Sequence, residues 1–312
     1  MDERIATRAA YGRKLAELGG KAMFFVMDAD LSGSTQTSLF AKQYPDRFIN
    51  CGIAEQNMIA TAAGIASTGV PVFCSSFAMF AAGRAFEQIR NSVAYPRLNV
   101  KICATHAGIT VGEDGPTHQF CEDLAAMRAI PKMTVLSPAD AVETEAAVEA
   151  MLEYDGPVYC RLGRHPVPVL FDPADYRLEW GKGRVLADGT DCVIIATGVM
   201  TDAALKARAL LAGDGIDAAV LNIPFIKPLD SDLIARYAAK TGAVVTAEEH
   251  TVIGGLGGAV AECLAETVPT RMARVGLEDV FGKSAPADVL LEAYRLTPAG
   301  IADKVRKLIG RD

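Results

Sequence analysis

Glu55 lies in Cys51-Gly52-Ile53-Ala54-Glu55-Gln56-Asn57, and the next formally charged residue is Arg84, beyond an apolar and small-residue run that contains Phe73, Phe77 and Phe80. An acid at the mouth of such a segment is expected to be buried. Burying an unpaired carboxylate is costly and raises its pKa, so a protein keeps one where it meets a charge or a proton-exchanging partner. Two readings are open. One is a helix N-terminal glutamate satisfied by backbone amides. The other is a proton-handling group that faces a flat heteroaromatic ligand stacked on the phenylalanines.

The four histidines are His106, His118, His165 and His250. His106 ends an apolar run, His118 closes the Gly-rich stretch behind it, and His165 follows Arg161 and Arg164. Three of the four therefore fall at expected strand ends, beside Asp114, where an open sheet presents its ligands. Singly, a histidine is more often structural than functional; clustered, the set is a candidate site. No spacing suits a metal site. Arg8, Ser34, Arg164 and the histidines could together hold a phosphate, because guanidinium forks match phosphate oxygens. Arg161 reads instead as a solvated linker arginine.

Two other stretches resemble ligand loops. Gly254-Gly255-Leu256-Gly257-Gly258 precedes a helical pattern but lacks both the dinucleotide spacing and a Gly-Lys-Ser ending, so it reads as a tight turn for close helix packing. Gly213-Asp214-Gly215 looks like the opening of a magnesium-diphosphate motif, yet no asparagine follows Asn222. A helix C-terminal turn is the better reading.

The elements that must position these residues alternate. Strands are expected at 23–27, 48–50, 70–74, 100–105, 133–136 and 158–162, with helices at 4–18, from Glu55 onward, 75–95 and 139–153. A Pro-rich and charged linker follows. Further strands are expected at 192–197, 218–223, 243–247 and 272–275, with helices at 202–211, 231–240, 257–266, 287–296 and 301–309. The alternation predicts an α/β fold of two parallel or mixed sheets wrapped by helices, with a first domain at 1–165, a linker at 166–190 and a second domain at 191–312. The uncharged run after Glu55 is broken by Gly64, Gly69 and Pro71 and changes period near Val70, so a buried helix and strand fit better than a membrane span.

With 312 residues, half of them hydrophobic, the chain can build two ordinary cores. A net charge of -7 argues against nucleic acid or an anionic membrane as a main partner, so an anionic substrate needs a local cationic cluster. Seven scattered cysteines without a Cys-x-x-Cys pair read as reduced thiols of a cytoplasmic protein, and the first residues show no secretory leader.

Asp28-Ala29-Asp30-Leu31, Gly52-Ile53-Ala54-Glu55-Gln56-Asn57, Ser76-Phe77-Ala78-Met79-Phe80, Gly112-Glu113-Asp114-Gly115-Pro116-Thr117-His118-Gln119 and Ile253-Gly254-Gly255-Leu256-Gly257 resemble, in that order, the C-terminal portion of transketolase. Deoxyxylulose-phosphate synthase is similar around Glu55 and His118. The resemblance covers essentially the whole chain and implies a pyrimidine-binding domain followed by a transketolase C-terminal domain. It implies the C-terminal subunit of a split transketolase, with thiamine diphosphate as cofactor and Mg2+ (or Ca2+) held by a separate N-terminal chain. It further implies a homodimer of this chain within a heterotetramer, and sugar-phosphate substrates.

Carried over by residue, the resemblance gives Glu55 the hydrogen bond to the aminopyrimidine N1′, sets Phe77 and Phe80 against that ring and places Asp30 near the cofactor. His118 and Asp114 would meet the sugar hydroxyls, with His118 catalytic alongside Glu55. His106, Arg164, Arg8 and Ser34 would bind the phosphate end. Gly83 stands where transketolases usually carry an aromatic, and Phe86 one turn on is a candidate substitute. Two alternatives stand beside this reading. A 2-oxoacid dehydrogenase beta subunit needs no phosphate-binding set, and a degenerate non-enzymatic half would not need Glu55, Phe80, Asp114 and His118 together.

Overall fold

The computed structural model describes residues 3–311. The outer ends of the two expected domains, Met1, Asp2 and Asp312, lie outside the described residues. A seven-stranded sheet runs in the order Phe225–Lys227, Thr134–Leu136, Val158–Arg161, Val100–Thr105, Val72–Phe77, Phe25–Asp28 and Phe48–Asn50; only the first strand is antiparallel to its neighbour. A five-stranded sheet runs Arg271–Leu277, Ala243–Thr251, Cys192–Ala196, Ala218–Asn222 and Arg184–Ala187, again with one antiparallel edge, the last. The inner strands are continuous apolar runs because both of their faces are covered.

On one face of the first sheet, helices Thr7–Leu18 and Ala141–Glu153 close over Tyr11, Phe24, Phe40 and Phe73. On the other, helix Glu55–Ala66 packs Met58, Ile59 and Ala62 into a core that continues through Val193, Ile195 and Leu221 of the second sheet. That shared core welds the sheets together.

Several features depart from the expected pattern. The strand expected to stop at Cys74 runs to Phe77, pairing Phe77 with Thr105, and the helix expected from Ser75 begins only after it. That helical region contains two π-helical stretches, Met79–Arg84 and Ile89–Ala94, widened turns of the kind that accumulate at functional sites. Strand Ala243–Thr251 runs past the expected end at 247 and carries Glu248, Glu249 and His250 inside the fold. Strands Val167–Pro168 and Arg184–Ala187 form within the expected linker. Finally, Phe225–Lys227, from the expected second domain, pairs with Thr134–Leu136 of the first sheet, a strand too short to show a period.

Both loop look-alikes turn out to be structural. Glu248 accepts the Leu256 and Gly257 amides at 2.7 and 2.8 Å, filling the helix N-terminus that a phosphate would occupy. A Cβ on Gly255 would stand 2.1 Å from Glu248 Oε2, so glycine is required there for the approach. Asp214 follows helix Met200–Gly213 and accepts from Arg306 at 2.7 Å. Among the described residues no helix is long and apolar enough to cross a membrane.

Candidate active site

Glu55 opens helix Glu55–Ala66 and is 2% exposed. Arg84 Nη1 donates to its Oε2 at 2.7 Å, so the two charges that bracket the uncharged run meet in space. The arginine is half-exposed, and its guanidinium lies 4.8 Å from the Phe80 ring centroid. Among the described residues Oε1 takes no hydrogen bond. The backbone-amide reading of Glu55 therefore gives way to an ion pair with one oxygen left over.

From Arg84 an aromatic wall continues inward. Phe80 and Phe77 are near-parallel at 6.1 Å, Phe77 stacks on His106 at 3.8 Å, and His118 sets its ring edge-on to Phe80 at 5.2 Å. The extension of the strand to Phe77 makes this possible, because it brings that ring level with the end of the neighbouring strand. His106 itself is 3% exposed and takes φ 56°. Burial first, then the charges of Arg8, Arg164 and His118, lower its pKa to about 3, so the imidazole is neutral near pH 7. Arg8 donates toward Nε2 at 3.5 Å and Nδ1 faces Thr105 Oγ1 at 2.9 Å.

Beside Arg8 lies an open cleft of about 510 Å³ whose lining includes Arg8, Arg164, Thr110 and His165 together with the carboxylates of Glu113 and Asp288. Burial first, and then the nearby Arg164 charge, lower the Arg8 pKa from the usual guanidinium value. Ser34 joins through its carbonyl, which accepts from Arg8 at 2.7 Å. Arg164 donates to the Val111 carbonyl and lies 3.6 Å from Glu113 and 3.8 Å from Asp114. His118 Nδ1 faces Thr117 Oγ1 at 2.9 Å, and among the described residues Nε2 takes no protein partner.

Of the residues singled out in sequence, Glu55, Phe77, Phe80, His106, His118, Arg8, Ser34, Arg164 and Asp114 thus form one connected group. Asp30 stands apart: it is exposed on the same sheet edge, where its oxygen accepts from Asn50 at 3.2 Å. Phe86 packs against the main core, while a side chain at Gly83 would meet Met79 at 3.2 Å and the Phe120 ring at 3.6 Å. Phe120, not Phe86, occupies that side. His250 is structural, held between the Thr251 carbonyl at 2.7 Å and the Ala125 amide at 3.3 Å.

Arg161 corrects the solvated-linker expectation. It is 7% exposed and donates through Nε to Asp123, at 3.1 and 2.9 Å, and through Nη2 to the Glu249 carbonyl at 2.7 Å. Tyr159 completes the cluster by donating to Asp123 at 2.7 Å. The expected strand at 158–162 includes Arg161 and stops short of Arg164, but the partners that bury Arg161 come from distant elements that no local pattern names. Arg84 was legible in part, as the one charge that closes the run.

A family model described as transketolase, pyrimidine binding domain matches residues 3–169, and one described as transketolase, C-terminal domain matches residues 181–301. A putative transketolase C-terminal section from Methanocaldococcus jannaschii is 52% identical, covering 96% of this chain and 94% of that one. A 6-deoxy-6-sulfo-D-fructose transketolase subunit from Clostridium sp. is 45% identical over 91% and 88%. The solved structure of a split gene transketolase, an inactive beta4 tetramer, superposes with a TM-score of 0.92 at 53% identity, covering 98% of this chain and 99% of that one. Human transketolase is 37% identical over 98% of this chain but only 49% of its own length. The fold and site thus define a pyrimidine-binding domain joined to a C-terminal domain. The chain belongs to the transketolase family, where it corresponds to the C-terminal section of a split enzyme.

Proposed function

We propose that this chain is the C-terminal subunit of a cytoplasmic, thiamine-diphosphate-dependent transketolase that moves a two-carbon ketol unit from a ketose phosphate to an aldose. The observation that carries this is the continuity from the buried Glu55, along Phe80, Phe77 and His106, to the Arg8 and Arg164 cleft. The residues fit the cofactor: an unengaged carboxylate oxygen beside an aromatic wall suits the ring nitrogen and face of an aminopyrimidine. When bound, thiamine diphosphate supplies the nucleophilic carbon and the electron sink for breaking the C2–C3 bond of the ketose. Glu55 exchanges a proton at the aminopyrimidine N1′. Phe77 and Phe80 hold the ring face and exclude water. His118 Nε2 and Asp114 bind the sugar hydroxyls, and His118 moves a proton there. Arg8, Arg164, Ser34 and the neutral His106 grip the phosphate, and Asp30 lies toward the cofactor side.

The diphosphate and its Mg2+ (or Ca2+) are assigned to a separate N-terminal chain, with two copies of each chain in the assembly. Among the described residues no group of three or more His, Cys, Asp or Glu stands ready for a metal. The purified chain is expected to show no ketol transfer, and activity should appear on titration with the N-terminal chain, cofactor and Mg2+. Full turnover by this chain alone would end the two-chain reading. Assays of the pair across a panel of sugar phosphates test the reaction itself.

Arg164→Ala should raise KM for a phosphorylated donor about tenfold or more, the scale of one lost charged hydrogen bond, while kcat changes less. Saturation curves on the reconstituted pair decide it, and an unchanged KM would remove Arg164 from the phosphate site.

A further inference from the structure

The segment that carries Asp114 and His118 is irregular, and much of what fixes it comes from the C-terminal half of the chain. Its backbone turns through positive φ at His106, Gly108, Gly112 and Gly115. Such a backbone has no ladder to rest on and must find its partners singly. Glu249 Oε1, at the end of strand Ala243–Thr251, accepts the Thr110 amide at 2.7 Å. Gln119 Nε2 ties the loop to the same half, donating to Gly112 O at 3.1 Å and to Lys283 O at 2.9 Å. Glu249 is itself immobilised, since Arg161 donates to its carbonyl and places Nη1 3.8 Å from Oε2. The fit is tight: a Cβ on Gly108 would stand 2.3 Å from Glu249 Oε1 and 2.9 Å from Arg161 Nη2.

We infer that Glu249 is a positioning residue for the ketol-transfer site, reaching across to set the register of Thr110 and, through it, the placement of Asp114 and His118. The inference rests on the function proposed above. It gives the C-terminal half a part in catalysis without contact with substrate. Thr110 also lines the cleft of Arg8 and Arg164, so the same hydrogen bond reaches the anion end of the site. The charge balance favours one arrangement. Asp123 and Glu249 share one guanidinium, all three are buried, and burial raises the Glu249 carboxyl while Arg161 and the Thr110 amide lower it. A carboxylate in such a place keeps every donor it has.

Two variants and two readouts test this. In hydrogen exchange on the chain by itself, Glu249→Ala should speed exchange of the Thr110 amide by about 10-fold to 100-fold. The neighbouring strand Val100–Thr105 should stay protected. Glu249→Gln keeps an oxygen for Thr110 and should exchange close to the unaltered chain. In the reconstituted pair, Glu249→Ala should lower kcat/KM for a phosphorylated donor by a similar factor, with kcat falling as well as KM rising, and Glu249→Gln should restore most of it. Unchanged Thr110 exchange in Glu249→Ala, equal loss of protection along Val100–Thr105, or no difference in kcat/KM between Ala and Gln would overturn the inference. If the unaltered pair moves no ketol unit, the functional reading fails, and the exchange experiment still decides whether Glu249 holds the loop.

Discussion

Glu55→Gln in the reconstituted pair is expected to lower kcat by about 10²-fold to 10⁴-fold, the range of a lost general acid–base group, with subunit assembly unchanged. On the proposed reading this side chain has two roles. Toward the protein, Oε2 accepts from Arg84 at 2.7 Å, and a glutamine oxygen can accept the same bond. Arg84 is half-exposed, so any weakening is offset by water, and the stability change should stay within about 1 kcal/mol. Toward the cofactor, an amide cannot exchange the proton that a carboxylate can. The prediction is therefore a collapse of turnover with a native melting curve and native sedimentation of the complex. A variant that turns over at near-normal rate would dismiss Glu55 as the proton-handling group, whatever its burial.

Arg161→Leu should destabilise the chain by about 3–5 kcal/mol, because it leaves Asp123 and Glu249 buried without their shared cation. The large figure belongs to the stranded charges, not to the net worth of the ion pairs. The decisive comparison is therefore the triple variant Arg161→Leu, Asp123→Leu, Glu249→Leu, which should recover part of the loss in urea titrations, the remainder being the cost of the Tyr159 hydroxyl and Thr110 amide left without acceptors. A single-variant loss below about 1 kcal/mol would mean that water reaches the cluster and that the halves are joined mainly by their common apolar core. The same residue links the two sheets, since it leaves strand Val158–Arg161 and reaches the end of strand Ala243–Thr251. Loss of stability should accordingly appear in both halves at once, as a single transition.

Much of the candidate site is legible in the sequence, for a physical reason in each case. Glu55 stood out because a lone acid before a long uncharged run has few stable places but a buried one, and it is buried. His106 and His118 stood out because strand ends in open sheets face ligands, and both rings lie against the phenylalanine wall. Arg8 and Arg164 were grouped by chemistry alone, and the cleft brings them together. Asp30 shares the sheet edge but bonds to Asn50, so the motif put it near the site without fixing its contact.

What escaped the sequence has a common cause. The Glu55–Arg84 pair, the burial of Arg161, the hold of Glu249 on Thr110 and the strand Phe225–Lys227 that crosses into the first sheet all depend on partners far away along the chain. Local patterning determined the α/β alternation, the apolar strands and the residue types available for chemistry, because these follow from periodicity and from the cost of burying charge. Tertiary structure decided which charges neutralise one another and which half of the molecule holds the loop of Asp114 and His118. A charge's partner is selected by distance in space, and no spacing along the chain encodes that distance.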